Sequence, residues 1–196
     1  MFDEINAHVS RCGSFSTADL EIFNTLLEPK SVRKKTMLLQ EGDICNFEAY
    51  IKKGCARSYY IDENGFELTM EFAVEDWWVS DVSSFHEHLP SNMFIETLED
   101  CELLVLNPGT KELLLQQVPG FERFFRILIQ RHMTVVQNRL YQTIAWPAQD
   151  RYLQFLKTYP QIPQRVAQHY IASYLGISPE FLSKIRTKMA NTRSSH

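Results

Sequence analysis

The chain has 196 residues, 44% of them apolar and 22% charged, a globular composition with enough chain for one large core or two modest ones, and neither disordered nor fibrous. Its 20 Lys and Arg against 24 Asp and Glu leave a net charge of −4, so no global basic charge announces a nucleic-acid partner. The charge is nevertheless divided, with +5 over residues 147–196 and −9 over residues 1–146, which assigns any anionic partner to the C-terminal part.

The opening segment, MFDEINAHVSRCG, carries acids where a secretory leader needs a basic flank, and no apolar run approaches the roughly 20 residues of a membrane helix. A cytoplasmic protein with no membrane partner is expected. Cys12, Cys45, Cys55 and Cys101 are too widely spaced for CxxC metal knuckles and too few to staple a chain of this length. They are expected as free, mostly buried thiols, with oxidation sensing open to Cys45 or Cys55 if either is exposed. Ser16 to Asp19 has the form of a capping box ahead of Leu20, Ile22, Phe23, Leu26 and Leu27, and Pro29 closes the short amphipathic helix this predicts.

From Lys30 to Leu106 short apolar runs alternate with turn residues, predicting strands at Met37–Leu39, Phe47–Ile51, Ala56–Ile61, Glu67–Phe72, Met93–Thr97 and Glu102–Leu106. Asn64 and Gly65 mark a tight hairpin, since both accept positive φ. Strands this short and this regularly spaced form a compact β-barrel or roll. Beyond Pro108 and Gly109 the period becomes helical, and Phe121, Phe125, Leu128, His132, Val136, Leu140 and Ile144 make one stripe over residues 121–146. Unbroken, that helix is about 39 Å long. It either forms a dimer seam or inter-domain strut, or packs on the β-unit of its own chain. Pro147 disfavours helix at Trp146 and marks a boundary.

Gln168 to Thr187 reads as two helices joined by a tight turn. Ile171, Leu175, Ile177, Leu182 and Ile185 supply the faces that lock together, and Ala172 is small where the helices cross. Gly176 permits a left-handed turn, Ser178 caps the second helix, and Pro179 takes its first position, where a missing N–H costs nothing. This is a helix-turn-helix, whose second helix enters the DNA major groove. Pro179, Glu180, Ser183, Lys184 and Thr187 then face outward. Glu180 suits a cytosine amino group, Lys184 suits guanine O6 or N7, and Ser183 suits a base or a phosphate. Arg165, Ser178, Arg186 and Lys188 are placed for phosphates. Two short helices with a Gly turn can also simply pack together, and the local +5 charge speaks for DNA.

The Leu39–Asp43 turn, Tyr50–Gly54, the Asp62–Gly65 hairpin and Ile171–Arg186, in this order, resemble the Crp/Fnr family of transcription regulators over nearly the full length. The resemblance implies an α+β fold: an N-terminal double-stranded β-helix, the cupin-like β-roll of cyclic-nucleotide-binding domains, then a long dimerisation helix and a small all-α helix-turn-helix domain. The expected division is 1–146, including the helix at 121–146, and 147–196. It also implies a homodimer on a palindromic operator of double-stranded DNA, gated by a small-molecule effector at the roll, with RNA polymerase as a further partner. Only seven residues follow Met189, too few for the β-hairpin wing of many relatives.

Family members that bind cyclic AMP use a Gly-Glu pair and an Arg-Ser pair to hold ribose and phosphate. Ser80 and Asp81 fall at the first pair here, and Ser91 and Asn92 at the second. A carboxylate without its guanidinium repels a cyclic phosphate, so the expected effector at Trp77, Trp78, Ser80, Asp81, Ser91 and Asn92 is not a cyclic nucleotide. Trp77 and Trp78, with Phe72, Phe85 and Phe94, either line an apolar pocket or form core. Cys12 stands alone in the N-terminal region, against an iron–sulfur sensor. His86 and His88, on an expected polar loop, are metal or haem ligands or a solvated surface, and His132 belongs to the core or seam. No metal or other cofactor is expected. Without GxSxG, GxxxxGK or HExxH the chain offers no enzyme signature, and Asp81 and Glu96 read as solvated carboxylates rather than an acid–base pair. The rival reading is a ligand-binding or protein-interaction module whose helix-turn-helix no longer binds DNA.

Overall fold

The computed structural model describes residues 1–193. Helices α1 (Asp3–Ser10) and α2 (Thr17–Leu26) lead into β1 (Glu28–Val32), β2 (Met37–Leu39), β3 (Glu48–Lys53), β4 (Ala56–Ile61), β5 (Glu67–Ala73) and β6 (Trp78–Val79). A short helix α3 (Val82–Glu87) precedes β7 (Phe94–Thr97) and β8 (Cys101–Leu106). Then come α4 (Pro108–Gln117), the long α5 (Gly120–Ala145), α6 (Ala148–Thr158), α7 (Ile162–Arg165), α8 (Gln168–Leu175) and α9 (Pro179–Arg193). The chain divides into two compact units, 1–60 with 71–132, and 61–70 with 133–196. The tip of the β4–β5 hairpin therefore belongs to the helical unit.

In the first unit the strands form two four-stranded sheets, ordered β1-β8-β3-β6 and β2-β7-β4-β5. Period-two alternation divides their side chains between two cores. Ala49 and Ile51 of β3 and Leu103 of β8 pack between the sheets with Leu39, Ala56 and Ile95. Tyr50, Leu104 and Leu106 face the other way, onto Ile5, Val9, Phe23, Leu114, Phe121 and Phe124 from the surrounding helices. A strand buried on both faces reads as a continuous apolar run, which is why β3 was legible.

Helix α2 starts at the expected capping box, with Ser16 Oγ accepting from Asp19 N at 3.1 Å. Pro29, expected to close that turn, instead lies inside β1, paired opposite Leu104; an edge strand tolerates a residue without an N–H. The hairpin also departs from expectation. Gly65 has φ +83, but Asn64 is not among the positive-φ residues. Asp62 Oδ1 accepts from both Asn64 N and Phe66 N, each at 2.9 Å, so a side chain closes a wider loop. The expected polar loop at His86 is the end of helix α3, terminated by His88 in a left-handed conformation. All four cysteines are buried, as expected, and Cys45 and Cys55 are fully enclosed, which removes the exposure that oxidation sensing requires. The expected missing wing falls on residues 194–196, outside the described residues.

Along α5, Phe121, Phe124 and Phe125 are buried, whereas Met133, Val136, Leu140 and Ile144 are exposed. Its first turns thus pack on the chain's own roll. His132 lies with Nδ1 3.5 Å from Glu71 Oε1, and this contact raises the imidazole pKa above its ordinary value against an opposing effect of burial. Protonated His132 gains the interaction and neutral His132 does not, so its stabilisation is full below the unfolded pKa of about 6.5 and fades as pH rises through the elevated folded value. The stability gap between wild type and His132→Leu in thermal melts is expected to be widest below about pH 6 and to narrow as pH rises through the elevated folded value; a gap that widens with pH would refute this.

Candidate functional site

Helix α8 ends at Gly176, whose φ of 64 is the left-handed geometry expected of the turn. Ser178 then caps α9, its Oγ accepting from Phe181 N at 3.2 Å, and Pro179 is the first helical residue. Ile171, Ala172 and Leu175 of α8 and Leu182 and Ile185 of α9 are buried, with Ile177 half-buried. These residues form the lock. The residues opposite, Pro179, Glu180, Ser183, Lys184 and Thr187, are all exposed. Glu180 is held below the usual carboxylate range first by its own backbone N–H, then by the Ser178 hydroxyl and the Lys184 charge. It therefore stays ionised, an acceptor set at the helix N-terminus.

Among the phosphate candidates, Ser178 and Lys188 are exposed while Arg186 and Arg165 are half-buried, and Arg165 Nη1 reaches Gln161 Oε1 at 3.4 Å. Two features escaped the sequence reading. Phe181, beside Glu180, is 48% exposed; a Phe off the stripe of Leu182 and Ile185 was the available signal. The second is a tie between α8 and the hairpin tip. Ser173 Oγ donates to Glu67 O at 2.6 Å and accepts from Thr69 N at 2.8 Å. Arg139 of α5 donates to the carbonyls of Met70, Thr69 and Tyr174, and its guanidinium lies 4.1 Å from the Tyr174 ring centroid. These partners are 35 to 106 residues apart in sequence, so no local pattern announced them.

In the first unit, the segment expected at the effector is occupied by internal bonds. Asp81 Oδ1 accepts from Ser84 N at 3.2 Å, capping α3, and Oδ2 accepts from Ser91 Oγ at 2.7 Å. Ser80 Oγ donates to Phe47 O at 2.9 Å. Asn92 is exposed. Trp77 and Trp78 pack on different cores, Trp77 between the sheets and Trp78 beneath the helices, with Phe72 and Phe85 buried and Phe94 stacked on Tyr59. The six residues thus do not line one surface. Glu96 pairs with buried Arg57 through Nη2 at 2.5 Å, so it is no solvated carboxylate, and Asp81 is buried. His86 Nε2 stands 3.9 Å from Glu48. No group of three or more His, Cys, Asp or Glu among the described residues could hold a metal, and no helix among them is long and apolar enough to cross a membrane.

A two-sheet roll is followed along the chain by a long helix and a helix-turn-helix. Residues 29–117 match the sequence model of the cyclic nucleotide-binding domain. Solved structures agree over the length of the chain. CLP of Xanthomonas campestris, described as a c-di-GMP responsive global regulator, is 16% identical, with a TM-score of 0.73, 90% of this chain and 93% of that chain covered. FixK2 of Bradyrhizobium japonicum is 14% identical, with a TM-score of 0.74 and 85% of each chain covered. A protein from Eubacterium rectale assigned to the crp/fnr family is 17% identical, with a TM-score of 0.69 and 90% of this chain against 85% of that one. No curated protein sequence matches. The fold is that of the Crp/Fnr regulators, as the sequence resemblance implied.

Proposed function

We propose that the protein is a cytoplasmic, homodimeric transcription regulator, in which a roll and helix at 1–146 gate a DNA-binding head at 147–196. The observation that carries this is the exposed face of α9, where Glu180, Ser183 and Lys184 stand together on a capped helix whose opposite side is locked to α8. Glu180, Ser183 and Lys184 read bases, and Arg165, Ser178, Arg186 and Lys188 meet phosphates. The exposed apolar residues Met133, Val136, Leu140 and Ile144 form the dimer seam, which sets two heads about 34 Å apart on a palindromic operator. RNA polymerase is the further partner expected of such a regulator.

The effector is a small molecule other than a cyclic nucleotide. Asp81 is buried and engaged by the α3 N-terminus and by Ser91, and no arginine stands among residues 77–92 to neutralise a phosphate.

The test is selection of bound duplexes from fragmented genomic DNA by the purified protein, followed by a salt titration of the recovered site. A palindrome is expected, with log K falling steeply against log salt as several counterions are released. No enrichment at low salt, by the full chain or by the 147–196 segment, would leave the protein-interaction reading in its place. Lys184→Ala is expected to cost roughly 1–3 kcal/mol and to relax preference at one base pair per half-site. A variant with unchanged specificity would refute that assignment.

A further inference from the structure

We propose that Phe181 is a fourth base-reading residue, packing its ring on the 5-methyl group of a thymine in each half-site. This rests on the DNA-binding reading above and deepens it. The other large apolar side chains of the first turns of α9, Leu182 and Ile185, are 0% and 6% exposed and belong to the lock. Phe181 is 48% exposed, although α9 offers a buried face one residue further on. Its ring is not needed to hold α9 against α8.

Position decides what that ring meets. Phe181 lies in the first turns of α9, directly after Pro179 and Glu180, and recognition helices meet base edges through their N-terminal residues. Lys184 is three residues on, so the two side chains are surface neighbours with Cβ atoms about 5–6 Å apart. When Lys184 reaches a base edge, Phe181 is carried to the wall of the same groove. Most groups presented by base edges there are hydrogen-bond donors or acceptors; the thymine methyl is the one bulky apolar group. An apolar side chain in this place therefore has one kind of complement. Glu180, Ser183 and Lys184 can each exchange hydrogen bonds, and none of them can recognise a methyl, so Phe181 adds a thymine requirement that the three cannot supply.

Deoxyuridine provides the test, because it pairs like thymidine and lacks only the methyl. The operator recovered by selection from a random duplex library with the full-length protein is remade with each thymine replaced in turn by deoxyuridine. Binding is then measured for wild type, Phe181→Ala and Lys184→Ala. At one thymine per half-site the replacement is expected to weaken wild type about fourfold, or about 0.8 kcal/mol for one buried methyl. At that thymine Phe181→Ala should be indifferent to the replacement, while Lys184→Ala should keep the loss. Thermal melting of Phe181→Ala, expected to match wild type, shows that the head remains folded.

Wild type indifferent to every uracil would overturn the inference, as would equal losses for wild type and Phe181→Ala at every thymine. Both results leave a selected operator, so the DNA-binding reading survives them. Failure of the full chain to select any sequence would overturn the reading and the inference together.

Discussion

Replacement of Arg57 by alanine is expected to destabilise the roll by about 3–5 kcal/mol, the range for breaking a buried ion pair from one side. Arg57 is 1% exposed. Its Nε donates to Glu96 Oε1 at 2.6 Å, and its guanidinium carbon lies 3.9 Å from the Tyr59 ring centroid. The two residues face each other across β4 and β7, so the pair is fixed by the strand register. The penalty arises from what remains: a carboxylate whose side chain is only 13% exposed, facing a void where its counter-ion stood. Replacing both partners with apolar residues, as in Arg57→Met with Glu96→Leu, removes the orphan and is expected to restore most of the loss. Urea denaturation followed by circular dichroism separates these cases. If Arg57→Ala alone melts like wild type, the pair contributes nothing and the account of this sheet is wrong.

Leu182→Ala is expected to cost about 2–5 kcal/mol of the stability of the helical unit, through lost burial and the cavity left behind. Leu182 is 0% exposed, and Ile171, Ala172 and Leu175 on the contacting helix α8 are buried as well. A loss of that size is large against the 5–15 kcal/mol of a typical domain, and with it goes the rigid presentation of Glu180, Ser183 and Lys184. DNA binding and thermal stability should therefore fall together, where Lys184→Ala lowers binding alone. Phe181→Ala, one residue away but on exposed surface, should leave the melting temperature nearly unchanged. Similar melting shifts for the two neighbours would contradict the orientation of α9.

The helix-turn-helix was the most legible part of the chain because its requirements are local. Gly176 answers a left-handed turn, Ser178 a cap, Pro179 a first helical position, and the apolar spacing one helix face; all four lie within a few residues of the groups they serve. The strands from Met37 to Leu106 were legible for the same reason, since each is a short apolar run closed by turn residues. The short elements α1, β1, the two-residue β6 and α3 escaped, none of them longer than eight residues. Each is held by partners elsewhere. Asp76, for example, accepts from His8, Arg11 and Tyr50 and so fastens α1 to the roll.

The effector segment shows the limit most clearly. The sequence placed a serine and a carboxylate at 80 and 81, and type alone made Asp81 a candidate ligand group. Its two oxygens are already committed to Ser84 and Ser91, which only the folding back of residues 84 to 91 could decide.

By itself the sequence determined the roll, the long helix and the outward face of α9, because periodicity, capping and turn chemistry act within a few residues along the chain. Tertiary structure alone decided that Arg57 finds Glu96, that Asp81 is spent within its own segment, and that Ser173 and Arg139 hold the hairpin tip. Those outcomes depend on which distant polar groups meet where water is excluded, and a buried donor or acceptor takes whatever partner the completed fold brings within 3 Å.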